Sequence, residues 1–232
     1  RCAQNLVRAR EAGARIVDLG LIFDGTAGFA DEFVAMKPAS DGYLAMAMVN
    51  YILQNDLQAN DYLLARTIAA YLVDDETGKL ARSNDGEGFL VWDANASAPV
   101  EVAAKRGAYP EGADIPLFGT FEHEGRSYST ALQKLKEVAA EYTLELAAEK
   151  CGISVADAER LARDWAEADN AFILSGYGLR YRNSNETYRQ FLLLGVLTGR
   201  LGRPGSGVFE ALQLQSWPLV FNDLPISCPD GV

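Results

Sequence analysis

Three short segments carry the residue types that a nucleotide-type ligand would use. The first is Leu19-Gly20, closing the apolar run Ile16-Val17-Asp18-Leu19. In open α/β sheets, ligands sit beyond the carboxyl ends of strands, where a glycine lets a phosphate or ribose approach the backbone. A glycine there also serves an ordinary tight turn. The second is Lys37-Pro38-Ala39-Ser40-Asp41, at the start of a helix-periodic stretch. A helix N-terminus offers unpaired N–H groups and partial positive charge to an anion. Asp41 has the carboxylate geometry to accept two hydrogen bonds from the N–H edge of a guanine. The same residues also read as a plain cap, Ser40, followed by a first-turn acid that complements the helix dipole. The third is Ser175-Gly176-Tyr177-Gly178-Leu179-Arg180, after Phe172-Ile173-Leu174. Its glycines let the backbone lie flat against a ligand, and Arg180 and Arg182 carry donors suited to phosphate. A turn with solvated arginines is the plainer reading. Convergence of the three loops on one sheet edge predicts a nucleotide-type ligand.

No nucleophile–base pair accompanies them. His123, the single histidine, falls in a predicted hairpin turn and reads as exposed. Asp74, Asp75 and Glu76 read as a solvated turn. Cys151 precedes Gly152 at a helix end and reads as a buried small hydrophobe. Cys2, Cys151 and Cys228 make no zinc or iron–sulfur spacing, and their odd number speaks against a disulfide scaffold. Among the 232 residues, 21 Lys and Arg against 32 Asp and Glu leave a formal charge of −11. That excludes the basic footprint of a nucleic-acid binder and suits an anionic membrane poorly. The apolar share of 49% and charged share of 23% are those of a folded globular chain, and no apolar run reaches membrane-spanning length. A start at Arg1-Cys2-Ala3, with no initiator Met, predicts a segment of something longer.

These loops need elements to carry them. Leu6, Val7 and Arg10 follow Cys2 and Ala3 at helical spacing, and Gly13 ends that helix. Residues 16–19 read as a short strand, and Phe33-Val34-Ala35-Met36 as a second, stopped by Pro38. From Ser40 onward, Leu44, Ala47, Met48, Tyr51 and Ile52 recur at helical intervals. Asn60-Asp61 opens another short helix. Between 74 and 128 hairpin chemistry takes over, in Ser83-Asn84-Asp85-Gly86 and His123-Glu124-Gly125. Helical spacing returns at Leu132, Leu135, Val138, Ala139 and Tyr142. A further helix opens at Ser154 with Asp157 at its third position. Asn185 heads a last helix, which runs into the glycine-dense 198–207 segment. The order predicts an α/β sheet domain, divided as 1–73 and 129–210 around a β-rich insertion at 74–128. Residues 211–232 begin the next segment.

In their order, these blocks resemble the central part of the catalytic subunit of molybdopterin-dependent oxidoreductases, the dimethyl sulfoxide reductase superfamily. The resemblance rests on Ala12-Gly13-Ala14-Arg15-Ile16-Val17, on Ala30-Asp31-Glu32-Phe33, and on Lys37-Pro38-Ala39-Ser40-Asp41-Gly42-Tyr43-Leu44. It continues through Tyr142-Thr143, Ala147-Ala148-Glu149 and Arg160-Leu161-Ala162-Arg163. It ends with Ser175-Gly176-Tyr177-Gly178-Leu179 and Leu197-Thr198-Gly199-Arg200-Leu201-Gly202-Arg203-Pro204-Gly205. The 74–120 stretch resembles insertions of the dimethyl sulfoxide reductase-like branch, catechol dehydroxylases included.

The resemblance implies a dinucleotide-binding-like (Rossmann-like), mostly parallel sheet flanked by helices. It implies that this domain grips one molybdopterin guanine dinucleotide of a bis form holding molybdenum or tungsten. Its contacts would come from Leu19, Gly20, Ala39, Ser40, Asp41, Ser175, Gly176 and Arg180. The metal's protein ligand and the cysteines of a 4Fe-4S cluster would lie upstream of Arg1. Partners would be the remaining domains of the parent chain and an iron–sulfur electron-transfer subunit, with no nucleic acid and no membrane insertion. The parent would transfer electrons or an oxygen atom to or from a small substrate, the isolated segment being inactive. A twin-arginine leader upstream would mark export of the parent. Many relatives carry Asp-Pro-Arg where this chain has Gly20-Leu21-Ile22, so Asp18 or Asp24 would supply the polar contact. Many also carry Gln at the position of Arg180, which exchanges an amide for a donor-only cation. Both changes suit a competing reading, a non-catalytic scaffold of the same fold without pterin. A thiamine-diphosphate enzyme's central domain shares the α/β sheet but fits 74–120 and 198–207 poorly.

Overall fold

The computed structural model describes residues 2–102, 108–176 and 184–210. Arg180, Arg182 and the 211–232 segment therefore lie outside the described residues. The fold is mixed α/β, built around α2 (Asp41–Gln54). That helix is apolar on nearly every side, burying Leu44, Ala45, Met46, Ala47, Met48, Val49, Ile52 and Leu53. An all-round apolar helix must be covered on all sides. The cover comes from α4 (Ala131–Ala139), α5 (Leu144–Cys151), α6 (Val155–Glu167) and α7 (Ser184–Leu197), each of which packs on it. α6 turns Ala158, Leu161, Ala162 and Trp165 inward. Its start is the capping arrangement expected of Ser154: the hydroxyl accepts the Asp157 N–H at 3.0 Å. α1 (Cys2–Glu11) ends as its sequence dictates, with Gly13 at φ +92°. The Ala14 N–H then reaches back to the Ala9 carbonyl at 2.9 Å.

Among the described residues the strands form four small sheets rather than one. β1 (Val17–Gly20) pairs in parallel with β2 (Glu32–Ala35), and β8 (Phe172–Ser175) with β9 (Gly207–Glu210). α3 (Asn60–Arg66) leads into an antiparallel region. There β3 (Leu72–Asp74), β7 (Arg126–Thr130) and β6 (Thr120–His123) make one sheet, and β4 (Phe89–Asp93) and β5 (Ala98–Val102) another. Glu124 and Gly125, at φ +51° and +76°, give the tight β6–β7 turn its left-handed residues. The single mostly parallel sheet of the sequence reading is thus not formed among the described residues. Among the described residues, the apolar runs between the two parallel pairs go into helices or antiparallel hairpins, which leaves each pair without a further parallel strand.

Each parallel pair lays one face on the helical core. Val17 of one pair and Ile173 and Val208 of the other pack against it, while Leu19, Phe172, Leu174 and Phe209 stay exposed on the outside.

Candidate functional site

The segment between β2 and α2 is the best-defined of the three loops. Gly20 pairs with Ala35, and the Met36 N–H reaches the Gly20 carbonyl at 2.9 Å. Gly20 and the Lys37–Asp41 turn therefore share the carboxyl end of one parallel pair. Pro38 sets the turn, and Ala39 follows at φ +58°. This is the left-handed third position that normally takes glycine or asparagine. Ser40 does not cap α2 as its sequence position suggests. It sits at φ −106°, ψ −4°, and its hydroxyl donates to the Lys37 carbonyl at 2.6 Å. The geometry that closes the tight turn points the hydroxyl backwards, leaving the first N–H groups of α2 without a side-chain cap.

Asp41 opens α2 half-buried. Burial pushes its carboxyl above the ordinary carboxylate range, opposed by the hydrogen bond from its own backbone N–H. No described cation forms an ion pair with it. Lys37 is engaged elsewhere: its ammonium donates to the Glu149 carbonyl at 3.1 Å, and its stem lies on Gly152. A cation at the carboxyl end of α5 is favourable. Cys151 is fully buried and its Sγ donates to the Ser40 carbonyl at 3.4 Å. Burial raises its thiol, so it is an inert packing residue.

The other loops are partly committed to the fold. The face of Gly20 that a Cβ would occupy is covered by the Phe33 ring at 3.1 Å. Leu19 is exposed. Of the two acids offered as substitutes beside it, Asp24 accepts the Thr26 and Ala27 N–H groups at 2.7 and 3.1 Å, capping the short 3-10 turn Ala27–Phe29. Asp18 is left uncommitted, its carboxyl raised by burial and by the charge of Asp24. Ser175 is buried, and its hydroxyl donates to the Phe209 carbonyl at 3.1 Å, tying β8 to β9. Gly176 faces open space. Gln190 and Thr187 of α7 lie against Gly42 at the α2 start.

Several structural residues were invisible in the sequence. Arg200 is 2% exposed, and its guanidinium donates to the Trp165 and Ala168 carbonyls at 2.6 Å each. It closes the end of α6 and stacks on the Trp165 ring. Asp75 is no solvated turn residue: it gathers Ser127, Ser129 and Lys134 at 2.5, 3.2 and 2.7 Å. Arg15 joins Glu32 of β2 to Asp164 of α6 at 2.6 and 2.5 Å, and Arg160 reaches Glu32 from the other side. Their partners are distant in sequence, so no local signal marks them. Among the described residues no cluster of acids, cysteines or histidine could hold a metal, and no helix is long and apolar enough to cross a membrane.

No protein-family profile matches the chain. It is 30% identical over 215 residues to the dimethylsulfide dehydrogenase subunit alpha of Rhodovulum sulfidophilum, covering 88% of this chain and 24% of that one. It is also 30% identical over 227 residues to the chlorate reductase subunit alpha of Ideonella dechloratans, covering 92% and 25%. The chain thus spans about a quarter of the length of these curated relatives. Among solved structures its fold is similar to the acetylene hydratase from Pelobacter acetylenicus, with a TM-score of 0.54 at 16% identity over 87% of this chain and 19% of that one. With homologues along nearly its whole length, the chain belongs to the dimethyl sulfoxide reductase family of molybdopterin-dependent oxidoreductase catalytic subunits.

Proposed function

We propose that this chain is the part of a molybdenum or tungsten oxidoreductase that holds one molybdopterin guanine dinucleotide. The observation that carries the reading is Asp41: a half-buried carboxylate that no described cation pairs with, on a helix start whose Ser40 hydroxyl is turned away. Such a carboxylate needs donors, and the N–H edge of guanine offers two. The backbone of Ala39 and Ser40 would meet the base or the sugar. Leu19, Gly20 and Asp18 at the β1 exit, and Ser175, Gly176 and Arg180 after β8, would follow the rest of the dinucleotide. The two parallel strand pairs would be completed into dinucleotide-binding sheets by polypeptide outside residues 1–232. The cofactor's metal supplies the redox chemistry when bound. The residues of this chain bind and orient it, with no proton transfer assigned to them. The whole protein would act on a small substrate and pass electrons through an iron–sulfur partner.

Titration of the 232-residue chain with guanosine diphosphate tests this. Binding that Asp41→Asn weakens at least about tenfold supports it, since one charged hydrogen-bond partner is lost. A folded chain that does not bind the nucleotide contradicts it.

The pterin-free scaffold has one observation in its favour, the Phe33 ring that covers Gly20. Phe33→Ala separates the two readings. It should leave nucleotide affinity unchanged or improved if the cofactor lies along Gly20, and no nucleotide should bind either form if the chain is a scaffold.

A further inference from the structure

β1 and β2 pack closely on each other but touch the helices lightly. Val34 is buried in the helical core, with Met36 just after it and Val17 packed beside them. The other large apolar side chains turn away: Leu19, Leu21, Ile22 and Phe23 are exposed, and the Phe33 ring meets Phe23 edge-on at 5.4 Å. What crosses from this pair to α6 is charge. Two contacts span the joint, Arg15 to Asp164 at 2.5 Å and Arg160 to Glu32. Two others stay on one side of it, Arg15 to Glu32 at 2.6 Å and Arg160 to Asp164 at 3.6 Å. Arg160 also holds Asp157, on its own helix, at 3.2 Å. Its Nη1 is buried without a hydrogen bond among the described residues, while the nearby Asp164 Oδ2 is engaged by Arg15. Breaking an ion pair is costly when it strands a poorly solvated charge. Parting these two sides strands none: Arg15 keeps Glu32, and Arg160 keeps Asp157 and can close its open Nη1 on Asp164.

We propose that Arg15, Glu32, Arg160 and Asp164 form an ionic latch, from which β1 and β2 undock as a unit when ionic strength rises. Little apolar surface holds the joint, and the charges that do are within reach of dissolved ions: Arg15 is 50% exposed and Asp164 37%. Because each side keeps a partner of its own, the docked and undocked arrangements lie close in energy. The Lys37 N–H stays on the Cys151 carbonyl, and the Pro38-Ala39 turn beside it is the hinge. Undocking shifts the β1 exit, with Leu19 and Gly20, relative to the start of α2, so the latch sets the spacing of those two loops. A two-stranded pair on its own is marginal in water, so undocked strands lose the protection of their amides.

Hydrogen–deuterium exchange of the 232-residue chain, read by mass spectrometry, tests this by comparing peptides from 16–36 with peptides from α2. Raising sodium chloride from about 0.01 to about 1 M shortens the screening length from about 30 to about 3 Å. Exchange across 16–36 should quicken about tenfold, the combined worth of two partly exposed pairs, while exchange in α2 stays the same. Glu32→Gln and Asp164→Asn each remove one contact that spans the joint. Each should quicken 16–36 at low salt, and the double variant should no longer respond to salt. The salt comparison on the wild type decides the matter if a variant does not fold. Unchanged exchange across 16–36 at high salt, or equal quickening there and in α2, overturns the latch. A folded double variant that keeps the wild-type salt response overturns the role of these four charges.

Discussion

Cys151 Sγ stands 3.4 Å from the carbonyl oxygen of Ser40, a residue 111 positions earlier in the chain. The Cys151 carbonyl in turn accepts the Lys37 N–H at 2.7 Å. The last residue of α5 thus holds both ends of the turn that delivers Asp41. The geometry of the candidate site depends on helix packing as much as on its own loop.

This clasp predicts a chemically silent thiol. Cys151 should react with iodoacetamide at least about tenfold more slowly in the folded chain than after unfolding in urea, because burial withholds both access and the thiolate. Peptide-level mass spectrometry reads Cys151 separately from the other two cysteines. Equal labelling in both states would show that α5 does not close over the turn.

Ala39 holds a left-handed conformation, φ +58°, that an L side chain resists. Ala39→Gly should stabilise the chain by about 1 kcal/mol, through relief of that strain. The gain is partly offset by the freer unfolded glycine. Urea unfolding should show a higher midpoint with an unchanged slope. A lower midpoint would mean that the turn does not need this backbone.

Asp41 should make stability fall with rising pH. Burial raises its folded-state pKa above the unfolded value, so in that window the folded state binds more protons. Its penalty is absent below the ordinary carboxylate pKa. It grows as pH rises through the window and is complete above the folded-state pKa. Asp41→Asn should therefore melt higher than the wild type at neutral pH, with the difference vanishing in acid. A difference that persists at low pH would assign the effect to something other than ionisation.

Arg200 donates to the open carbonyls at the end of α6. Arg200→Met should cost about 2–4 kcal/mol, since those carbonyls lose charged donors they cannot replace. Arg200→Lys should recover only part, because a single ammonium cannot span acceptors that the guanidinium fork reaches together. Chemical denaturation measures both. A loss under about 0.5 kcal/mol, the scatter of ordinary surface changes, would show that water already satisfies α6.

By itself, the sequence determined the local grammar of this protein and its kinship. Gly13, Ser154 and the Glu124-Gly125 turn act through backbone geometry within a few residues, so they were legible without a fold. The motif order from Ala12 to Gly205 was likewise enough to identify the family. Tertiary structure decided the rest. Ser40 lost its capping role because its hydroxyl closes the turn behind it. Arg200 and Asp75 acquired partners from distant elements. The expected continuous sheet resolved into two separate parallel pairs, because strand pairing depends on which strands are available, and a short apolar run does not reveal its neighbours. The wall of the candidate site, Thr187 and Gln190 against Gly42, likewise exists only where two helices cross.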